Sequence, residues 1–542
     1  MRRRLKSQPL WLACFAGLCS ISPAARAVVT FGGTGNNYTP APGGVDAYEG
    51  QLNGTFTGTA ISPTFVVGAT HTFGFINEPF VYSDGTTYNM QVVASLDDLE
   101  IWQIAPNQTG TFTSYAPIYT GNSEVGSTVV DVGRGFARGS AITGGWNWGG
   151  GQGPFSWGDN VVSAVDTDTQ LGLSGALGGD YIQSPFNNNP ADPNEFINTE
   201  YDSGGGLFID VNGTYELAGV NTTVDTVASG PSSSDSLQAS LYDTYGYYDQ
   251  ASGGAWFQIT THTPESSYAT RVSSKQNFIQ LADGAISAAN AARAPITIDP
   301  NGQMVTFTNM TTGAIVGGGT LQVGSNFATA TLQIAPNSGV SELSSLLLFN
   351  GNYHNSTLDI TNNRIVIDYG STWATESALL QYLKSGCNGG AWNGPGIDSS
   401  TAAASGGAYG VGFAEENDIG VPGLSSGQAE VAYALYGDCN LDGVVNGIDF
   451  GVFAANFNKG TNNGWEAGDF LYQGVVNGID LALIADNLNH GAAGNSADLA
   501  AIDAFAAAND ISLNLPEPGP VEIGLCAAVG VFSLRHRRPR AE

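Results

Sequence analysis

Two stretches of the chain place reactive or metal-binding side chains at spacings that suit a definite chemistry. In one, Asp438-x-Asn440-x-Asp442-Gly443-Val444-x-Asn446-x-x-Asp449 sets oxygen donors at positions 1, 3, 5, 9 and 12 of a loop, with the Val444 carbonyl at position 7. Gly443 at position 6 allows the sharp turn such a loop needs, and the ligand set predicts calcium. The pattern recurs as Asp469, Gln473, Gly474, Val475, Asn477 and Asp480. There Leu471 and Gln473 replace two oxygen donors, glutamine offering only a weak one, so the second loop is expected to bind calcium poorly or not at all. The other stretch is Asp202-Ser203-Gly204-Gly205-Gly206. Acyl transfer by a serine needs its hydroxyl, an imidazole to take the proton and a carboxylate to orient the imidazole. It also needs backbone N–H donors for the oxyanion. His71 and Asp98 are the candidate partners of Ser203, with Asp97 as the alternative carboxylate.

Four segments then carry a resemblance. The run Ile61-Ser62-Pro63-Thr64-Phe65-Val66-Val67-Gly68-Ala69-Thr70-His71 resembles the strand leading into Ala-x-His of the chymotrypsin/trypsin-like serine proteases. Asp98-Leu99-Glu100-Ile101-Trp102 is similar to the family's Asp-Ile/Leu-Ala-Leu-Leu segment. The Ser203 stretch, followed by Leu217-Ala218-Gly219-Val220, resembles its Gly-Asp-Ser-Gly-Gly-Pro elbow and the strand after it. Tyr268-Ala269-Thr270-Arg271-Val272-Ser273, then Phe278-Ile279, looks like its Tyr-Thr-Arg-Val segment and C-terminal helix.

The resemblance covers residues 28–282. It implies a serine-type endopeptidase acting on a protein or peptide, with Ser203 as nucleophile, His71 as general base and Asp98 holding the imidazole tautomer. The backbone N–H groups of Tyr201 and Ser203 would form the oxyanion hole, and catalysis would need no cofactor. Tyr201 stands where the family has glycine, so the peptide is either strained, at roughly 1–3 kcal/mol, or flipped, losing a donor worth about 2.7–4 kcal/mol. Gly206 replaces the family's proline. Ile197, six residues before Ser203, replaces the aspartate of trypsin-like members and disfavours cleavage after Arg or Lys. Where family members mature, a freed β-branched N-terminus pairs with the aspartate before the serine. Here Val28 and Asp202 are the corresponding pair, with a plain first strand as the alternative.

The positioning elements follow from pattern. Residues 28–265 alternate short β-type runs with Gly, Asn, Asp and Pro turns, which predicts antiparallel sheets in a sandwich or barrel. The Gly- and Trp-dense stretch 145–160 reads as a loop, as does the Ser-rich 229–237. Helices are expected at Ser273–Leu281, at Ala285–Ala294 as a linker, and at Thr375–Ser385, closed by Gly386. From about 295 to 370, runs such as GTLQV and RIVIDY alternate apolar with polar residues, and the Gly/Ala-rich remainder to 430 carries no pattern. The whole is therefore expected to be mainly β: a chymotrypsin-like double β-barrel, a second β-rich domain at 295–430, and a small α-helical EF-hand-like module at 435–490. That module resembles a dockerin repeat, which implies either a cohesin-like partner or a calcium-stapled stalk.

Both ends read as addresses. Residues 1–27 carry Arg2, Arg3, Arg4 and Lys6, an apolar stretch and Ala25-Arg26-Ala27, a secretory signal with an A-x-A cleavage site. Residues 515–542 hold Pro516-Glu517-Pro518, a short apolar run and an Arg-rich end. They resemble the PEP-CTERM sorting signal handled by an exosortase in Gram-negative bacteria. These features predict a secreted or cell-surface protein that meets the membrane only transiently through its tail. A net charge of −31 argues against a nucleic-acid partner. Of five cysteines, only Cys387 and Cys439 lie outside the two addresses, so a packed core rather than disulfides must hold the protease region. The competing expectation is a surface adhesion or scaffold protein with a degenerate protease domain and a dockerin used for docking.

Overall fold

The computed structural model describes residues 28–512, except 73–76, 153, 172–178, 252–253, 352–353, 369–375, 419, 461–463 and 489–495. The signal and sorting segments lie outside the described residues. Among the described residues no helix is long and apolar enough to cross a membrane.

Six antiparallel strands close a first barrel, in the order Thr87–Leu96, Asn77–Tyr82, Glu49–Leu52, Phe56–Ala60, Phe65–Ala69, Leu99–Ile104 and back to Thr87–Leu96. Period-two alternation builds its interior. In Asn77–Tyr82 every second residue is buried, so Phe80 and Tyr82 meet Leu52, Met90, Trp102 and Phe112 inside. A second antiparallel sheet runs Ser156–Val161, Thr128–Gly133, Gly206–Val211, Thr214–Val224, Ser266–Arg271, Asp180–Pro185, Ala164–Thr167. It curls until Ser156–Val161 meets Asp180–Pro185, where Asn160 Nδ2 donates to the Pro185 carbonyl at 2.9 Å. This is the double β-barrel of the chymotrypsin type. The expected loop at 145–160 is instead two strands, Gly145–Gln152 and Ser156–Val161. Trp146 and Trp148 supply the packing that the glycines lack, Trp148 Nε1 donating to Ser240 Oγ at 2.9 Å.

The region after 295 is mainly β, and its strands from 296 to 368 pair largely in parallel. Gln303–Thr306, Thr320–Val323 and Ser345–Leu348 stack in register, placing Met304, Leu321 and Leu346 in one buried column. A second column runs Met310, Leu332, Leu358 and Ile397. With Ile296–Thr297 beside Ile315–Val316 and Val340–Leu343 beside Arg364–Asp368, the chain winds as a short β-solenoid. Its first coil continues the first barrel, Gln303–Thr306 pairing antiparallel with Thr87–Leu96.

The patternless stretch to 430 contains the hairpin Tyr409–Glu415/Gln428–Leu435, laid on Arg364–Asp368. The helix before it runs Glu376–Cys387, past Gly386, whose glycine serves close packing rather than a helix end: a Cβ there would strike the Ile397 carbonyl at 1.7 Å. Only a short 3-10 helix, Ala288–Arg293, marks the expected linker helix. The C-terminal module packs on the hairpin: Tyr472 Oη donates to the Val411 carbonyl at 3.0 Å and Asn487 Nδ2 to the Tyr436 carbonyl at 2.9 Å. One hydrophobic core runs from the inter-barrel face through the solenoid into this module.

Candidate active site

The sequence elements bring His71, Asp98 and Ser203 together at the cleft between the barrels. His71 lies in the 3-10 turn Thr70–Thr72 that ends the strand Phe65–Ala69. Asp98 occupies the turn joining Thr87–Leu96 to Leu99–Ile104, with its side chain fully buried. Its Oδ1 accepts both the His71 backbone N–H at 3.0 Å and Nδ1 at 2.8 Å, and Oδ2 lies 2.9 Å from Nδ1. His71 Nε2 lies 2.9 Å from Ser203 Oγ, while the imidazole side chain keeps 29% exposure to solvent. Burial drives the imidazole toward its neutral form, but the charge and hydrogen bond of Asp98 outweigh it, and the pKa rises above 6.5.

Ser203 is clamped by both barrels. Thr57 N–H of the first barrel donates to the Ser203 carbonyl at 3.1 Å. Gly204 N–H donates to the Asn221 carbonyl at 2.9 Å, and Asn221 N–H to the Gly205 carbonyl at 2.8 Å. Gly204 holds φ +86°, and a Cβ there would meet the Thr57 carbonyl at 2.1 Å, so glycine is required by conformation and by space.

Tyr201 resolves the choice left by the sequence. It adopts φ +76°, the left-handed region, so the backbone keeps the glycine-type conformation under strain. Its ring packs on Phe136 and Phe56, at centroid distances of 5.2 and 5.9 Å. No carbonyl of the described residues takes the backbone N–H of Tyr201 or Ser203. His71, Asp98 and Ser203 thus share one cleft at hydrogen-bond distances, an arrangement suited to acyl transfer.

Asp202 points away from the cleft into the second barrel, fully buried. It accepts N–H groups from Gly135 at 2.6 Å and Thr199 at 2.8 Å, and from Val28. Burial nevertheless raises its carboxyl to about 6. Val28 is itself fully buried, and the next residue, Val29, pairs with Ile197. Two further buried acids near this floor, Glu49 and Asp131, are pushed well above the carboxylate range by burial. They sat inside ordinary strand patterns and gave no signal in the sequence.

The alternative carboxylate, Asp97, has a different partner. It forms a buried ion pair with Lys275, at the start of the helix Gln276–Ala282.

The calcium-type loop folds on its own amides. Asp438 Oδ1 accepts Asp442 N–H at 3.2 Å, Asp438 Oδ2 accepts Gly443 N–H at 2.9 Å, and Asp442 Oδ1 accepts Val444 N–H at 2.9 Å. Asn446 caps the helix Gly447–Asn456, and Asp449 Oδ2 accepts the Asn446 N–H at 2.9 Å. Burial, then the charges of Asp449 and Asp442, raises Asp438 to about 7, so the carboxylates lie within range of one another. The Asn440 amide donates to Asp442 at 3.2 Å. The second loop repeats the fold: Asp469 accepts Gln473 and Gly474 N–H, Asp480 accepts Asn477 N–H, and Asn477 caps Gly478–Asn487. Val475 is exposed there. Among the described residues, no group of three or more His, Cys, Asp or Glu side chains is placed to hold a metal ion.

No protein-family model and no curated protein matches the chain. Two solved structures that match part of the chain are those of the Rv3671c protease. The inactive form is 17% identical, covers 38% of this chain and 91% of its own, and has a TM-score of 0.24. A serine-to-alanine mutant of the protein from M. tuberculosis H37Rv, also an inactive form, is 16% identical, covers 46% of this chain and 97% of its own, with a TM-score of 0.26.

Proposed function

We propose that the chain is an exported serine endopeptidase, and that Ser203, His71 and Asp98 are its catalytic triad. The observation that carries the reading is the unbroken relay from Asp98 through His71 to Ser203 Oγ, with both hydrogen bonds at 2.8–2.9 Å. His71 Nε2 takes the Ser203 proton as Oγ attacks the peptide carbonyl, and Asp98 holds Nδ1–H and stabilises the imidazolium. The developing oxyanion is received by the N–H groups of Tyr201 and Ser203, each worth about 2.7–4 kcal/mol of barrier. His71 then returns the proton to the leaving amine, and water repeats the cycle on the acyl-enzyme.

Removal of residues 1–27 would convert the Val28 amide into an ammonium beside Asp202. The buried position of both residues supports this as the maturation step. The first loop of the C-terminal module, through Asp438, Asn440, Asp442, Val444, Asn446 and Asp449, would hold structural calcium. The packing of that module on the hairpin supports a stapled cap at the end of the solenoid rather than a free docking domain. The tail would direct the protein to the surface through an exosortase.

The deciding experiment is fluorophosphonate labelling of chain purified after export. Labelling that vanishes in Ser203→Ala is expected, and an unlabelled wild-type chain would sink the reading.

A further inference from the structure

The hairpin turn that carries Asp98 is held by residues from outside the two barrels. Asp97, the first residue of this two-residue turn, sits at φ +55° with a fully buried side chain. Its N–H donates to the Gln303 carbonyl at 2.8 Å, and its Oδ1 accepts the Gln303 N–H at 3.1 Å. Oδ2 accepts Lys275 Nζ, which also lies 3.9 Å from Asp299 Oδ2. Gly302 lets the coil come this close, since a Cβ there would meet Asp97 Oδ1 at 2.0 Å. From the other side, Thr70 N–H donates to the Asp98 carbonyl at 3.2 Å.

Without the contacts of Asp97, the turn would be held only through Asp98 itself, by its carboxylate on His71 and by the Thr70 N–H on its carbonyl. Here the N–H and both carboxylate oxygens of Asp97 are held, and each of these partners lies beyond the last strand of the second barrel. Lys275 leads the C-terminal helix, and Gln303 opens the first solenoid strand, which continues in ladder with Leu96, Ser95 and Ala94. Other ionisable groups near the turn include Glu100 on the first barrel and Tyr181, Asp168 and Asp180 on the second-barrel side.

We propose that the first coil of the β-solenoid belongs to the catalytic scaffold, with Lys275, Asp97 and Gln303 acting as positioning residues that hold Asp98 against His71. This rests on the protease reading above. It assigns the solenoid a role in the chemistry: Gln303 adds to the hold that Thr70, His71 and Lys275 already place on the turn.

The test is a titration of His71 by NMR in the full chain labelled with 15N-histidine, in the Ser203→Ala background. Lys275→Met is expected to lower the His71 midpoint by roughly one pH unit, because a misaligned Asp98 no longer offsets burial. The low-field Nδ1–H resonance should be lost with it. Asp97→Asn combined with Lys275→Gln, a neutral hydrogen-bonded pair, should restore both signals. With Ser203 intact, Lys275→Met should slow fluorophosphonate labelling roughly tenfold to a hundredfold while the chain still melts cooperatively. Gln303→Pro, which removes one N–H at the first position of a strand, serves if Lys275→Met does not fold. An unchanged His71 midpoint in a folded variant would overturn the proposal. Absence of labelling in the wild-type chain would instead strike the protease reading, and the titration would still report on the scaffold.

Discussion

Tyr201 stands edge-on to Phe136, ring centroids 5.2 Å apart, while its backbone holds a φ of +76°. The ring contact and the strain oppose each other. Relief of a left-handed non-glycine residue is worth roughly 1–3 kcal/mol, and the aromatic contacts with Phe136 and Phe56 about 0.5–1.5 kcal/mol each. Tyr201→Gly should therefore change the melting temperature little, and labelling of Ser203 should stay close to wild type because the donor is already in place. A gain on the order of 10²–10³ in labelling rate would mean that the tyrosine had been withholding an oxyanion donor.

The His71 imidazole has a pKa raised above 6.5 because Asp98 favours the charged form more than burial opposes it. The neutral imidazole is the base, so peptide hydrolysis and probe labelling should rise with pH through a midpoint above 6.5. Asp98→Asn removes the raising influence and leaves burial. Its midpoint should fall to 6.5 or below, and its rate by on the order of 10⁴. A midpoint that stays put in Asp98→Asn would show that another group controls the limb.

The grouping of His71, Asp98 and Ser203 could be read from the sequence because each sits in a local segment whose residue types are dictated by geometry. Gly204 and Gly205 lie against the Thr57 and Val132 carbonyls, and no side chain fits there. Alternation likewise announced the barrels and the β-rich region after 295, since strand faces repeat every second residue. Parallel winding was not legible: the same TLQV alternation suits either direction, and only the stacking of Met304 on Leu321 and Leu346 distinguishes them. The pairing of Lys275 with Asp97 was not legible for a similar reason. Their pairing joins positions far apart in the chain, and an isolated lysine at a helix start reads as surface charge.

Asp202 has its carboxyl raised to about 6 while its partner at Val28 is only a backbone amide. An acid whose folded pKa lies above its unfolded one stabilises the fold at low pH, and that contribution is lost as pH climbs through the folded value. A free amine at Val28 would pair with the carboxylate and reverse this loss. A chain beginning at Val28 should thus melt higher than one carrying extra N-terminal residues at pH 8, and nearly alike at pH 4. It should also label faster with the probe. Equal melting of the two chains at pH 8 would rule out the buried ion pair.

The C-terminal module offers a test that does not involve the triad. Its first loop has Asp438, Asp442 and Asp449, and the Asp438 carbonyl receives the Trp465 indole N–H at 2.6 Å. Trp465 in turn packs on Tyr436 of the hairpin and leaves no room for a Cβ at Gly412. Calcium bound at this loop would stiffen that contact, so chelation should lower the melting temperature and shift Trp465 fluorescence. At a hundredfold excess over its dissociation constant, calcium would contribute about 2.7 kcal/mol. Asp438→Ala should abolish the response to chelator, whereas Asp469→Ala should leave it, because the second loop has no side-chain donor at Leu471 and only a weak one at Gln473. A melting curve indifferent to chelator in the wild-type chain would show that the loop is held by its own amides alone.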